Sequence, residues 1–172
     1  LLALVVAERY RDNPRTLDAD FGVRELYVTN HTGNTVSIIS TQTHTVLKSV
    51  PVGSGPRAPA ANPGLRKVYV PNFNDNTVSV IDAVAQAVVK TIPVGAGPNH
   101  AAVDADHDKV YVNNLTARTI SVIDSATDTV VGTLPSGVGS DDNFGLVNHA
   151  YHRYYLPNAE DDTLTTVDTD TD

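Results

Sequence analysis

The sequence predicts an all-β propeller of four short-stranded blades. Three observations predict it. A tyrosine-bearing block recurs, with Tyr27, Tyr69, Tyr111 and Tyr155 spaced 42, 42 and 44 residues apart. Each period holds four short runs rich in Val, Ile, Thr or Tyr, bounded by Gly, Pro, Asn or Asp, which is the strand signature. No stretch long enough for a helix shows helical periodicity. Four strands in about 42 residues is the arithmetic of a propeller blade.

Within a period, strand a follows a proline: Pro14 to Asp20, Pro56 to Asn62, Pro98 to Asp104 and, less regularly, Asp142 to Asn148. Strand b is the tyrosine block: Leu26 to Asn30, Val68 to Asn72, Val110 to Asn114 and Tyr154 to Asn158. It is apolar without strict alternation, which predicts burial on both faces between two neighbouring blades. Strand c runs Asn34 to Ile39, Asn76 to Ile81, Arg118 to Ile123 and Asp162 to Val167. Strand d covers Thr45 to Val52, Ala87 to Val94 and Thr129 to Leu134. Gly53-Ser54-Gly55-Pro56 and Gly95-Ala96-Gly97-Pro98 join one blade to the next, Gly supplying positive φ and Pro fixing the start of strand a. The repeats thus span approximately 14–52, 56–94, 98–135 and 142–172 of one domain, with 1–10 as a spare outer strand.

The Tyr-Val-Thr-Asn block, the Asn-Thr-Val-Ser-Val-Ile-Asp block and the Pro-Val-Gly-x-Gly-Pro turn resemble the YVTN β-propeller repeat, over nearly the whole chain and four times. The resemblance implies an extracytoplasmic setting (secreted, periplasmic or cell surface), and rings nearer seven blades than four. It does not imply one activity. Related propellers are lactonase-like enzymes, redox proteins and surface-layer proteins, and function lives in sites grafted onto the fold.

The ends of the repeat pattern complement each other. Leu4 to Tyr10 aligns with Val46 to Val52, so Leu1 to Val6 reads as a strand d without a blade, while the fourth repeat lacks its own strand d. An unpaired strand c would leave an open sheet edge. The spare strand completes blade four of the same chain, completes that of a partner, or belongs to half of a larger propeller. The absence of Met predicts a processed product or a piece of a longer chain.

Composition excludes several functions. With no Cys there is no disulfide, thiolate metal site or cysteine nucleophile. The net charge of −8 is concentrated in the second half, where 4 basic face 13 acidic residues, against 8 and 7 in residues 1–86. Such a chain repels phosphate backbones and anionic bilayers, so neither nucleic-acid binding nor membrane insertion is expected. Leu1 to Ala7, the longest apolar run, is far short of a membrane span of about 20 residues.

The d–a and b–c loops emerge on one face. Arg15, Arg57, Asn99 and Asn143 hold equivalent positions there, with His100 and Asp142 beside them. These six are the candidate ligand-binding residues, expected to ring the channel mouth and grip a small anion or an acidic loop. The b–c loops vary most between repeats, as binding loops do. The six histidines share no repeat position, so no multi-histidine cluster and no metal or cofactor is expected. Asp104, Asp106 and Asp108 alternate, as do Asp168, Asp170 and Asp172, but neither run has the Gly and distal Glu of a calcium loop. No Gly-x-Ser-x-Gly elbow is present. The expected function is a non-catalytic binding or assembly module, contacting a partner or small ligand through one face and self-associating by strand exchange. The alternatives are a lactonase-like or redox enzyme with a site at the central channel, and a structural surface-layer or filament subunit.

Overall fold

The computed structural model describes residues 14–20, 24–139 and 144–171. They form fifteen strands in four antiparallel sheets. Blade one is β1 (Pro14–Asp20), β2 (Glu25–Asn30), β3 (Thr35–Ser40) and β4 (Val46–Pro51). Blade two is β5 (Ala60–Asn62), β6 (Lys67–Asn72), β7 (Thr77–Asp82) and β8 (Ala87–Pro93). Blade three is β9 (Pro98–Asp104), β10 (Lys109–Asn114), β11 (Thr119–Asp124) and β12 (Thr129–Pro135). Blade four is β13 (Leu146–Asn148), β14 (Arg153–Asn158) and β15 (Thr163–Asp168). Each sheet is a meander in sequence order, as the lettering a to d expects. The spare strand Leu1 to Val6 lies outside the described residues.

Strand a departs from the expected span in two blades. In blade two the ladder covers only Ala60–Asn62, paired with Lys67–Tyr69. Pro56 and Pro59 have no N–H to give to that ladder. Pro56 keeps one bridge to Asn72, and Ala58 turns to the neighbouring blade in a parallel bridge with His100. There the Ala58 N–H donates to the Asn99 carbonyl (3.2 Å) and the Ala101 N–H to the Ala58 carbonyl (3.2 Å). In blade four the strand starts only at Leu146.

The core is divided among the seams between blades. Tyr27, Val36 and Ile38 meet Val68, Val70 and Ile81 across the first seam. Tyr69, Val78 and Val80 meet Val110, Val112 and Ile123 across the second. Tyr111, Ile120 and Val122 meet Tyr154, Leu156 and Val167 across the third, where the two tyrosine rings stack at 4.8 Å and 12°. Strand b is therefore buried from both sides in blades two and three, and each such side chain contributes about 1.5–3 kcal/mol. Strand d is the outer edge: Val46, Val89 and Val131 stay exposed, while Val50 and Ile92 turn into the core.

The repeated Asn closes each b–c hairpin. The amide of Asn72 donates to the hydroxyls of Thr77 (3.0 Å) and Ser79 (2.9 Å) on the neighbouring strand, and Asn30 does the same with Thr35 and Ser37. Asn158 finds Thr163 and Thr165. For Asn114, both ends of the amide are satisfied when Oδ1 accepts from Thr119 and Ser121 and Nδ2 donates to the Gly95 carbonyl at 3.3 Å. The recurrent Asn and Thr-x-Ser, Thr-x-Thr in blade four, are thus one hydrogen-bonded unit.

Candidate functional site

A cavity of about 410 Å³ opens where the inner strands of blades two, three and four converge. Alanines of strand a (Ala58, Ala60, Ala101 and Ala102) form much of its wall. Their small side chains let the inner strands approach without filling the centre. His100 and Phe144 line it, their rings meeting edge to face at 5.2 Å. His149 also lines it. The His100 Nδ1 is buried and has no hydrogen-bond partner among the described residues. Burial pushes its imidazole down to a pKa of about 4, so it is neutral at physiological pH.

Of the six predicted residues, only His100 is described in the cavity wall. The Arg57 guanidinium lies over the Phe73 ring, 4.4 Å from its centroid, a cation–π contact with its own blade's b–c loop. Asn99 is 4% exposed, and its Oδ1 accepts from Asn113 Nδ2 at 3.0 Å inside blade three. The Arg15 side chain, Asp142 and Asn143 lie outside the described residues.

The b–c loops hold the inter-blade turns. The Gly55 and Gly97 N–H groups donate to Asn34 and Asn76 Oδ1, both at 2.9 Å. The Ser54 N–H donates to Asp75 Oδ2, and the Val138 N–H to Asp161 Oδ2. The two glycines of each turn have different reasons. Gly55 and Gly97 sit at φ 67°. At Gly53, Gly95 and Gly137 a Cβ would fall 2.6 Å from the side chain of Asn72, Asn114 or Asn158.

On the opposite face, polar latches join the a–b and c–d loops across the seams. Between blades two and three, Lys67 Nζ donates to Asp128 Oδ2 (2.8 Å) and Tyr69 donates its hydroxyl to Asp128 Oδ1 (2.8 Å). Burial, then Asp128, raises the Tyr69 pKa. Between blades one and two, Tyr27 and Gln86 both donate to Glu25.

Between blades three and four the fold brings together His107, His149 and His152 with Asp104, Asp106 and Asp170, a convergence that the repeat positions of the histidines do not predict. His107 Nδ1 is 2.9 Å from Asp104 Oδ2, and its Nε2 is 2.9 Å from Asp170 Oδ1. His152 Nδ1 is 3.2 Å from Asp170 Oδ1, and His149 Nδ1 is 3.1 Å from Asp106 Oδ2. The hydrogen bond to Asp104 raises the His107 pKa. Burial alone would raise Asp104, but hydrogen bonds from His107 and Thr169 outweigh it and hold the carboxyl below its ordinary range. The three histidines occupy the third, first and fourth positions of two different a–b loops, and Asp170 follows β15. Repeat alignment has no column in which they meet. The other acids of the alternating runs serve elsewhere: Asp168 pairs with Arg153 (2.7 Å) and Asp108 takes a turn position at φ 51°.

Meandering blades with their core in the seams and a cavity at the convergence of the inner strands define a β-propeller. The family model described as YNCE-like beta-propeller matches residues 48–152, and the chain belongs to that family. No curated protein matches the sequence. Among solved structures, Kuenenia stuttgartiensis hydrazine synthase is similar at 20% identity and a TM-score of 0.72, over 91% of this chain and 50% of that one. The dihydro-heme d1 dehydrogenase NirN, solved in complex with DHE, is similar at 16% identity and a TM-score of 0.69, over 89% and 34%. The chain thus spans half or less of the length of these structures, and at such identities the likeness is one of fold. No helix among the described residues is long and apolar enough to cross a membrane.

Proposed function

We propose that this chain is a non-catalytic, extracytoplasmic binding module that takes a small ligand, part apolar and part polar, in the cavity between its inner strands. The observation that carries this is the wall itself: alanines and Phe144 around one neutral imidazole whose buried Nδ1 has no partner among the described residues. Small apolar side chains with a few convergent polar groups are the usual form of a small-molecule site. The described lining contains no carboxylate, hydroxyl or thiol, so an enzyme reading finds no nucleophile there with a base beside it. The extracytoplasmic setting rests on the resemblance to YVTN propellers.

Anilinonaphthalene sulfonate, an aromatic anion that fits such a cavity, is the probe. It is expected to bind the folded chain saturably at one site per chain, and His100→Leu to weaken binding by about 5-fold or more, the scale of one lost buried hydrogen bond. Binding that is non-saturable, or equally tight in His100→Leu and Phe144→Ala, would overturn the cavity as the site.

A second reading, assembly by strand exchange, is favoured by blade four. Strand β15 has no outer partner among the described residues, whereas β3, β7 and β11 pair with β4, β8 and β12. In this reading Leu1 to Val6 of a second copy supplies the missing strand.

A further inference from the structure

We propose that the seam between blades three and four binds one divalent transition-metal ion, Zn²⁺ foremost, through His107 Nε2, His152 Nδ1 and Asp170 Oδ1. The three atoms form a triangle with edges of 2.9, 3.2 and 3.4 Å. A tetrahedral ion with bonds of about 2.0–2.1 Å holds its donors about 3.3 Å apart. The side chains therefore already span one face of such a tetrahedron. The 3.4 Å approach of two imidazole nitrogens needs one N–H and one lone pair if no ion is bound. With an ion, both nitrogens offer lone pairs to the same centre.

The surroundings support the first ligand. Asp104, whose side chain is 1% exposed, holds His107 Nδ1 at 2.9 Å. An N–H at Nδ1 leaves the Nε2 lone pair directed at the triangle. A carboxylate behind a ligating imidazole is the recurrent outer partner of metal-binding histidines. His152 and Asp170 are about half exposed, which leaves the fourth position to water and gives the ion a path in. Two imidazoles and one carboxylate suit a borderline ion such as Zn²⁺; Ca²⁺ takes six to eight oxygens.

The ligands also straddle the seam. His107 belongs to the a–b loop of blade three, His152 to that of blade four, and Asp170 follows β15. At the same level the other seams are latched by Lys67 and Tyr69 on Asp128, and by Tyr27 and Gln86 on Glu25. An ion here clamps blade four to blade three and stabilises their contact. The neighbouring group of His149, Asp106 and Asp104 Oδ1, with edges of 3.1 and 3.6 Å to His149, shares Asp104 but none of the three proposed ligands, so His149 gives the test its control.

Zn²⁺ alone is titrated calorimetrically into the full chain after chelator treatment, and melting is followed with and without the metal. One ion per chain and a raised melting temperature are expected. His107→Asn and His152→Asn should each weaken binding by about 10-fold or more, and Asp104→Asn by about 10–100-fold, while His149→Ala stays within about two-fold of wild type. Asn tolerates the positive φ of residue 152 (51°), so that variant keeps its turn. The unmutated chain loaded with Co²⁺ should show the strong visible bands of a four-coordinate ion. Absence of saturable Zn²⁺ binding, a weak six-coordinate Co²⁺ spectrum, or binding lost in His149→Ala but kept in His152→Asn would each overturn the assignment.

Discussion

His100 shows how one side chain couples the cavity to stability. Its pKa is pushed down to about 4 because burial disfavours the charged ring, whereas the unfolded chain keeps an ordinary histidine near 6.5. Above that ordinary value both states carry neutral imidazole and the shift has no effect on folding. As pH falls from about 6.5 to about 4, the unfolded state takes the proton first and the folded state loses stability; below about 4 both are charged and the loss levels off. The loss is about 1–3 kcal/mol. His100→Leu should remove this component: the difference in urea midpoint between variant and wild type should grow in favour of the variant between pH 6.5 and 4. A difference independent of pH would show that the ring is not desolvated as described. The position of His100 beside the turn was legible from the repeat alignment. Its neighbour Asn99 looked equally suited to the mouth, but it is skipped where the β9–β10 register shifts between His100↔Asn113 and Pro98↔Asn114, and its Oδ1 accepts from Asn113 Nδ2 within the sheet. A bulge of this kind re-aims the extra side chain, which repeat alignment does not reveal.

At the scale of the element, the inter-blade turn is where sequence and structure agree most closely. The first glycine of the Gly-x-Gly-Pro turn is dictated by the closing Asn of strand b, the second by its φ. Gly95→Ala would place a Cβ 2.6 to 2.9 Å from the Asn114 side chain, and the Asn cannot retreat without giving up Thr119 and Ser121. The expected cost is about 1–3 kcal/mol, the range of overpacking. Gly64 is the contrast: a Cβ there meets nothing nearer than Asn62 Oδ1 at 3.4 Å, so Gly64→Ala should change stability by less than about 0.5 kcal/mol. Chemical denaturation of the two variants checks both figures; equal effects would remove the Asn contact as the reason for the glycine. The strands were legible because tyrosine, Asn and Thr-x-Ser recur together in one hydrogen-bonded unit. The histidine cluster was not, because its members occupy non-equivalent repeat positions and meet only across a seam.

At the scale of the whole molecule, each seam's stability depends on the next blade being present, as in other repeat proteins. Tyr27, Tyr69 and Tyr111 are fully buried because blades two, three and four lie over them. Tyr155 holds the equivalent position in blade four, pairing with Thr166 as Tyr111 pairs with Val122, yet it is only half-buried. On the same face Leu164 is 57% exposed, where its counterpart Ile120 is 0% exposed. Blade four therefore presents a face of the kind that three other blades cover, beside a strand edge with no partner among the described residues. A second copy contributing its first strand and adjoining blade would cover both. Light scattering behind a sizing column should then give one species near twice the chain mass of 18.3 kDa, and deleting Leu1 to Ala7 should return it to a monomer. A monomer in the unmodified chain would rule out exchange between copies, and larger, polydisperse assemblies would favour a filament or layer subunit. A dimer that survives the deletion would place its interface elsewhere than the edge of β15.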